Sequence, residues 1–242
     1  MVEGTHLIQE AIATGYPLQA ICATASWQTH HADLWTQVQA SSERHEIVSP
    51  EVLAAIATTQ TPDGVVAIAP QQPAVPLPRQ PQLGLAVEAI QDPGNVGTLL
   101  RTAAAVGSDG LCLSQNSVDL THPKVLRASA GQWFRVAKQT TADLPQQLVT
   151  WQTQGCQILA TAAEGAVPYW QVNLTVPTVL VLGNEGAGLS PAAIEIADQV
   201  VAIPMMNAVE SLNVGIAAAV ILFEAVRQRQ QLRDHSLSDG QV

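Results

Sequence analysis

The chain has 242 residues, of which 47% are hydrophobic and 12% charged, and its formal net charge at pH 7 is −10. This length allows one large domain or two modest ones, and the hydrophobic fraction suffices for a sizeable core. The acidic balance excludes indiscriminate nucleic-acid binding, which needs a diffuse basic surface, so any polyanionic partner would have to be held by a local patch.

The cysteine and histidine patterns exclude several kinds of site. Cys22, Cys112 and Cys156 lie far apart and form no CxxC pair, which favours buried thiols in a reducing compartment over disulfides or a zinc site. The six histidines show no metal-binding spacing. Neither a signal peptide nor an apolar run long enough to cross a bilayer is visible. We therefore expect a cytoplasmic protein without a metal ion or a membrane association.

The first 70 residues predict a small α/β domain. Predicted helices at 3–15, 27–40 and 50–57 alternate with strands at 18–23, 46–48 and 65–69. A change of composition follows, because residues 70–81 contain five prolines. Proline lacks an N–H donor and favours an extended spacer. We therefore place the first domain at 1–70 and a linker at 71–82.

Residues 83–235 predict a second α/β domain with a regular alternation of strands and helices. The strands are expected at 83–90, 110–114, 134–137, 157–162, 178–183 and 200–203. The helices are expected at 98–106, 123–130, 144–154, 191–197 and 214–231. Such alternation indicates a mostly parallel sheet that is covered by helices on both faces. The polar residues 236–242 are expected to form a frayed tail.

The first loop of interest joins the strand at 83–90 to the helix that follows. Its sequence, QDPGNVG at 91–97, suits a tight turn, with Asn95 placed to cap the helix. Arg101 lies about 1.5 turns into this helix among apolar residues. Its side chain either points to solvent with its stem packed or presents a fixed cation at the carboxyl ends of the strands.

A basic stretch stands out against the acidic composition. Residues 120–142 contain no Asp or Glu, yet they carry four of the ten basic residues: Lys124, Arg127, Arg135 and Lys138. Such a stretch is often only a solvated surface. The local charge contrast also makes it a candidate for phosphate contacts.

Two further loops follow the strands at 178–183 and 200–203. The glycines of the loop at 183–188 do not match a dinucleotide fingerprint, and the loop lacks the Lys-Ser/Thr of a P-loop. It therefore suits a ligand without phosphates, held by backbone amides, although a simple glycine-rich turn is the alternative. Ser211 and Asn213 precede the last helix and could be caps or site residues. No histidine lies near Ser211 in sequence, so a Ser/His nucleophile is not indicated.

Taken together, the loops resemble the three motifs of the SpoU class of SPOUT RNA methyltransferases. Residues 91–103, 182–190 and 203–214 match these motifs in the family's order, and residues 124–131 are similar to the segment between the first two. The resemblance covers about residues 83–231. Residues 1–70 are similar to the family's substrate domain, which is of the ribosomal-protein-L30e type.

The resemblance implies a fold, a cofactor and a reaction. The expected fold is an α/β SPOUT domain with a parallel sheet and a deep trefoil knot, preceded by the L30e-like domain. The expected cofactor is S-adenosylmethionine, and the expected assembly is a homodimer through the SPOUT domain. The reaction would be methyl transfer to a ribose 2′-hydroxyl of structured RNA, with ribosomal RNA favoured over transfer RNA.

The resemblance also assigns residues. The residues expected to be catalytic are Asn95, Arg101, Glu185, Ser211 and Asn213. Cofactor contacts are expected from loops around 161–163, 183–188 and 203–213, namely Thr161, Ala162, Gly183, Asn184, Gly186, Gly188, Ile203, Met205, Ser211 and Leu212. RNA contacts are expected from Lys124, Arg127, Arg135 and Lys138. Because a guanidinium deprotonates only above about pH 12, Arg101 should orient a phosphate or stabilise negative charge and not act as a base.

Two alternatives belong to other functional classes. A non-catalytic RNA-binding or ribosome-associated module could retain the fold, although the five candidate catalytic residues argue against such decay. A nucleotide-dependent oxidoreductase would need the glycine fingerprint that the chain lacks. Residues 1–70 also contain one basic residue, Arg44, against seven acidic ones, which is unfavourable for a domain that grips RNA.

Overall fold

The structure, a computed structural model, describes residues 1–73, 75–162, 167–207 and 209–238. The chain divides into two compact units. The first comprises Met1–Pro73 and Asp119–Arg135, and the second comprises Ala74–Val118 and Val136–Val242. One boundary, between residues 73 and 74, falls within the proline-rich stretch that was expected to be a linker. Residue 74 itself lies outside the described residues. The sequence did not predict that residues 119–135 would join the first unit.

The first unit contains a mixed four-stranded sheet with helices packed against it. Its elements up to residue 73 are β1 (Val2–Glu3), α1 (Thr5–Ala13), β2 (Leu18–Thr24), α2 (Ala25–His30), α3 (Ala32–Ser41), β3 (Ser42–Val48), α4 (Pro50–Ile56) and β4 (Val65–Ile68). The strand order is β1-β4-β2-β3. β4 runs antiparallel to β1 and β2, whereas β2 and β3 are parallel. Ile8, Ile21, Val38 and Leu53 are buried in its core.

The remaining elements complete the chain. They are β5 (Leu83–Val87), α5 (Pro93–Ala105), β6 (Gly110–Ser114), α6 (Pro123–Ala128), β7 (Lys138–Thr141), α7 (Leu144–Thr153), β8 (Gln157–Thr161), β9 (Val167–Pro168), β10 (Thr178–Leu182), α8 (Pro191–Ile196), β11 (Gln199–Ala202) and α9 (Val214–Ser238). All of them except α6 belong to the second unit.

The second unit is built on a seven-stranded sheet with the order β7-β6-β5-β10-β8-β11-β9. Every neighbouring pair is parallel. The chain moves outward from β5 through β6 to β7 and then fills the other half of the sheet. The order therefore reverses between β5 and β10. In open α/β sheets, ligands bind outside the carboxyl ends of the strands at such a switch point.

Both faces of this sheet are covered, as the strand pattern predicted. Ala86, Cys112, Ile158 and Val181 form one buried cluster with side chains of α7 and α8. Successive residues of a strand point to opposite faces, so Leu85, Leu111, Leu159 and Leu180, which are also buried, line the other face. The helices α5 and α9 pack against each other, and they contact β6 and β10 respectively. The core therefore fixes the position of every strand whose end carries a candidate loop.

Residues 119–135 complete the first unit through an aromatic cluster. The rings of Tyr16, Trp133 and Phe134 meet edge to face, with centroids 5.2–5.6 Å apart. Trp133 Nε1 donates to the carbonyl of Leu120 at 2.8 Å. The strand predicted at 134–137 is wrong, because a 3-10 turn at Gln132–Phe134 turns these rings inward and β7 begins only at Lys138.

Other boundaries also differ from the sequence predictions. The helix predicted at 27–40 is interrupted at His31 and forms α2 and α3. The two-residue strands β1 and β9 are too short to give a periodic signal. The helix α9 continues to Ser238, beyond the predicted start of the frayed tail, and residues 239–242 lie outside the described chain. None of the helices within the described ranges is both long and apolar enough to span a membrane.

Candidate active site

A cleft of about 380 Å³ lies in the second unit at the carboxyl ends of β8, β10 and β11, next to the start of α9. This volume falls within the range of roughly 300–1,000 Å³ that is typical of small-molecule sites. The cleft is lined by all ten residues predicted to contact the cofactor: Thr161, Ala162, Gly183, Asn184, Gly186, Gly188, Ile203, Met205, Ser211 and Leu212. Residue 163, at the edge of the first predicted loop, lies outside the described residues.

The glycine-rich loop after β10 is closed tightly on itself. The backbones of Asn184 and Gly188 exchange two hydrogen bonds of 2.9 and 3.0 Å. Asn184 Oδ1 also accepts hydrogen bonds from the amides of Gly186 and Ala187. Glycine is needed at 183 because a Cβ there would lie 2.2–2.3 Å from backbone atoms of Gly188 and Leu189. Five of the six residues from 183 to 188, all except Ala187, line the cleft.

The end of β5 holds both ends of this loop. Asn184 Nδ2 donates to the carbonyl of Ala89 at 2.8 Å. At the other end, the amide of Ser190 donates to Glu88 Oε2 at 2.8 Å. Sequence reasoning missed this contribution of Glu88, which positions the loop. The available signal was an acidic residue directly after a buried apolar strand. A carboxylate at such a position stays ionised only when a hydrogen-bond donor compensates its charge.

Three predicted catalytic residues form one hydrogen-bonded chain. Asn95 Nδ2 donates to Glu185 Oε1 at 2.6 Å, and Asn213 Nδ2 donates to Asn95 Oδ1 at 2.8 Å. Asn213 Oδ1 in turn accepts from the amide of Gly215 at the start of α9. Because Asn95 can donate to the carboxylate only through its NH₂ group, this network fixes the orientation of both amides. It links the glycine-rich loop, α5 and α9.

The predicted capping role of Asn95 is wrong. Asp92 occupies the cap position of α5, and its carboxylate accepts from the Asn95 amide at 3.2 Å. The Asn95 side chain is instead buried between Glu185 and Asn213. The helix begins at Pro93, five residues earlier than predicted, because proline suits the first helical position.

Arg101 and Ser211 are exposed, as is Asn213, whereas Asn95 is buried. Arg101 lies on the exposed side of α5 and forms no hydrogen bond or ion pair with any residue that the structure describes. It does not line the cleft, and neither does Asn95. Ser211 lines the cleft and is exposed. The structure therefore brings Glu185 and Ser211 to the cleft, joins Asn95 and Asn213 to Glu185, and leaves Arg101 available on the adjacent helix.

The four basic residues predicted to contact RNA are divided between the two units. Arg127 Nη1 lies 3.2 Å from Glu3 Oε2, and Arg135 Nη2 lies 2.5 Å from Glu10 Oε2, all within the first unit. Lys124 also belongs to that unit, whereas Lys138 belongs to the second. Burial lowers the pKa of Lys138 to about 8. Two of the four basic side chains, those of Arg127 and Arg135, are therefore already paired with carboxylates, which the sequence did not predict.

Glu3 is the buried centre of the first of these ion pairs. Its carboxylate accepts from the amides of Thr58 and Thr59 at 3.0 and 3.1 Å as well as from Arg127. Burial alone would raise the pKa of Glu3, but the hydrogen bonds from Thr58 and Thr59 hold that pKa below its ordinary value of 4.5. The ionised form therefore contributes to the stability of the first unit at neutral pH.

We expect Glu3→Gln to lower the free energy of unfolding by roughly 1–3 kcal/mol at neutral pH, because a glutamine NH₂ group would face amide donors. The pKa of Glu3 is lower in the folded than in the unfolded chain. The greater stability of wild type is therefore fully present above the unfolded pKa and is lost as pH falls through the folded pKa. Urea unfolding at neutral pH and again below that window measures the difference. Glu43→Gln, on the exposed strand β3, is the matched control. Equal stability of Glu3→Gln and wild type at neutral pH would contradict this role.

The lining of the cleft fits S-adenosylmethionine. The lining combines apolar residues such as Leu182, Ile203 and Leu212 with glycines and two glutamates, Glu185 and Glu210. Among the residues that the structure describes, the lining of the cleft includes no lysine or arginine. The close approach of Gly183 to Gly188 leaves no room for a side chain at position 183. Across the described residues, no group of three or more His, Cys, Asp or Glu side chains could hold a metal ion.

Comparisons with known proteins identify the family of this chain. Residues 82–223 match the SpoU rRNA Methylase family, and residues 1–74 match the RNA 2′-O ribose methyltransferase substrate-binding family. A protein of Synechocystis sp., described as an uncharacterized tRNA/rRNA methyltransferase, is 44% identical over 95% of this chain and 84% of its own. The 23S rRNA (guanosine(2553)-2′-O)-methyltransferase of Bacillus subtilis is 30% identical over 92% of this chain and 86% of its own.

A similar solved structure extends the comparison from the sequence to the fold and the cofactor. The crystal structure of the SpoU methyltransferase AviRb from Streptomyces viridochromogenes, in complex with AdoMet, has a TM-score of 0.83 and 29% sequence identity. The match covers 95% of this chain and 89% of that one. The predicted α/β SPOUT class is therefore confirmed, and the non-catalytic module and the oxidoreductase are set aside. The chain belongs to the SpoU family of S-adenosylmethionine-dependent RNA 2′-O-ribose methyltransferases.

Proposed function

We propose that this protein methylates a ribose 2′-hydroxyl of ribosomal RNA. The observation that carries the choice of substrate is the extent of the match to the Bacillus subtilis enzyme, which is named for 23S rRNA. That match spans 92% of this chain and so includes both units. A separate match of residues 1–74 to a substrate-binding family supports a role for the first unit in presenting this RNA.

The cleft is proposed to hold the methyl donor. S-adenosylmethionine, when bound, supplies an electrophilic methyl group on a positively charged sulfur. The backbone of the 183–188 loop and the side chains of Ile203, Met205 and Leu212 would enclose it. The Glu185 carboxylate is held by Asn95 and would favour a cationic ligand over an anionic one. The hydrogen-bonded chain to Asn213 keeps that carboxylate in place without a rearrangement during reaction.

Arg101 is proposed to act on the RNA. As the 2′-hydroxyl oxygen bonds to the methyl carbon, the bond from that carbon to the donor sulfur breaks and a neutral thioether leaves. The hydroxyl proton passes to solvent, and negative charge develops on the oxygen while the new bond forms. A guanidinium stays protonated and offers several donors in one plane, which suits a phosphate or a developing oxyanion. Arg101 is exposed and uses none of its donors on the described residues. Ser211, exposed in the cleft, is a candidate for contact with the ribose.

A homodimer through the second unit is supported by an exposed apolar stripe on α9. Ile216 and Phe223 are spaced by seven residues, so they share one side of the helix, and both are about half exposed. A second copy of this chain would cover them. The proposed trefoil knot is supported by the strand order, in which β10 enters between β5 and β8 and β11 follows on the far side of β8.

Mapping 2′-O-methylation in RNA from cells with and without the protein tests this function. We expect one ribose of ribosomal RNA to lose its methyl group when the protein is absent and to regain it when the purified protein and S-adenosylmethionine are added. Loss of a methyl group from transfer RNA alone would reject the proposed substrate. Analytical ultracentrifugation of the same preparation should give twice the mass of one chain.

A further inference from the structure

Trp170 differs in exposure from every other tryptophan of the chain. Trp27, Trp35, Trp133 and Trp151 are at most 9% exposed, whereas Trp170 is 50% exposed. A tryptophan side chain is largely apolar, and leaving half of it in water forgoes much of the favourable free energy of burial. The exposed indole of Trp170 is therefore available for contact with a partner molecule.

The strand register places the segment that carries Trp170 at the same edge of the sheet as the methyl-donor cleft. Pro168, the last residue of β9, pairs with Ala202, the last residue of β11, and the two strands are parallel. Both strands therefore end at the same edge of the sheet, about 4.8 Å apart. Beyond Ala202, Ile203 and Met205 line the cleft. Beyond Pro168, the chain turns at once into the 3-10 segment that carries Trp170.

The indole ring is held in place although it is exposed. The rings of Tyr169 and Trp170 meet edge to face with centroids 5.0 Å apart. The segment that follows is tied to α9, since Gln228 bonds to the backbone of Val172 and Leu174. No hydrogen bond to the Trp170 indole nitrogen or to the Tyr169 hydroxyl is found within the described ranges. The segment thus offers an oriented aromatic face with uncommitted polar groups.

We propose that Trp170 is a stacking platform for an unpaired nucleobase of the RNA substrate. This inference rests on the proposed function, because it assumes that RNA approaches the methyl-donor cleft. Sequence-specific RNA recognition commonly splays bases out of the helix and stacks them on aromatic side chains. Stacking needs no positive charge. It therefore suits a chain with a net charge of −10 whose Arg127 and Arg135 face carboxylates.

The test uses the full chain, unmodified 23S rRNA transcribed in vitro and the variants Trp170→Ala and Trp170→Phe. Trp170→Ala should raise the KM for the RNA about 5- to 150-fold, the range set by base–aromatic stacking. Trp170→Phe should stay within about threefold of wild type because a ring remains. Calorimetric affinity for S-adenosylmethionine should not change. The slope of RNA affinity against salt should not change either, since no phosphate contact is removed.

Val176→Ala is the matched control, because Val176 is an exposed apolar residue in the same connection between β9 and β10 but carries no ring. An unchanged KM in Trp170→Ala would overturn the proposal. So would a raised KM accompanied by dissociation into monomers, which would assign the indole to a contact between copies. If wild type methylates no RNA, the proposed function fails. Quenching of tryptophan fluorescence by the transcript then still tests whether a nucleobase stacks on Trp170. Equal quenching of wild type and Trp170→Phe would then reject it.

Discussion

Arg101→Ala should reduce methyl transfer to RNA by at least about 100- to 1,000-fold while leaving the affinity for S-adenosylmethionine unchanged. This loss is expected because the substitution removes a cation that would stabilise the negative charge developing on the ribose 2′-oxygen. The fold should be unaffected, because Arg101 is exposed on α5 and alanine is the best helix former. Initial rates of labelled methyl incorporation, together with calorimetry of cofactor binding, measure the two effects separately.

Two further substitutions sharpen the Arg101 experiment. Arg101→Lys keeps the charge but loses the planar array of donors, so only a small part of the activity should return. Arg79→Ala makes the same change in net charge at an exposed position of the proline-rich stretch and should leave the rate unchanged. The role assigned to Arg101 would have to be abandoned if Arg101→Ala kept more than about one third of wild-type activity, which corresponds to a loss of less than about 0.7 kcal/mol.

Gly183→Ala should abolish cofactor binding or weaken it by about 100-fold or more. An alanine Cβ would lie 2.2–2.3 Å from the backbone of Gly188 and Leu189, so the loop must open. Opening would break the paired backbone hydrogen bonds between Asn184 and Gly188 and move the Glu185 carboxylate away from Asn95. Losing about two such interactions, at roughly 1–1.5 kcal/mol each, accounts for that factor. Calorimetric titration with S-adenosylmethionine is the measurement.

Gly84→Ala distinguishes this local effect from general destabilisation. Gly84 lies in β5 of the same sheet, and its Cβ would approach only side-chain atoms of Val179 and Pro81 at 3.2–3.3 Å. We expect a modest loss of stability and a normal affinity for the cofactor. The assigned importance of the tight loop would be wrong if Gly183→Ala bound S-adenosylmethionine as tightly as Gly84→Ala does.

Local patterns in the sequence were enough to predict the alternating architecture and the loops that meet in the cleft. Apolar strands such as 178–183 are followed by glycine-rich turns, and parallel strands carry such turns to one edge of a sheet. The ten cofactor residues were predicted by the family resemblance, eight of them from the motifs at 182–190 and 203–214, and the structure brings them to one cleft. Their roles in binding stay predictions that Gly183→Ala begins to test.

The features that sequence reasoning missed depend on contacts between distant residues. Glu3 and Arg127 are 124 positions apart, and each alone reads as an ordinary charged residue. The basic stretch at 120–142 therefore indicated a free patch although two of its guanidinium groups face carboxylates. Glu88 gained a role only through the fold, which brings β5 beside β10. The exposure of Trp170 likewise follows from its position after the edge strand β9.

The inclusion of residues 119–135 in the first unit has a consequence for chimaeras built from this family. By sequence match the substrate-binding part ends at residue 74, yet Glu3, Glu10 and Tyr16 contact Arg127, Arg135 and Phe134. Grafting residues 1–73 alone onto another member of the family would separate these pairs and leave a buried carboxylate without its guanidinium. A chimaera meant to transfer RNA specificity should therefore include both residues 1–73 and residues 119–135, because the two segments fold as one unit.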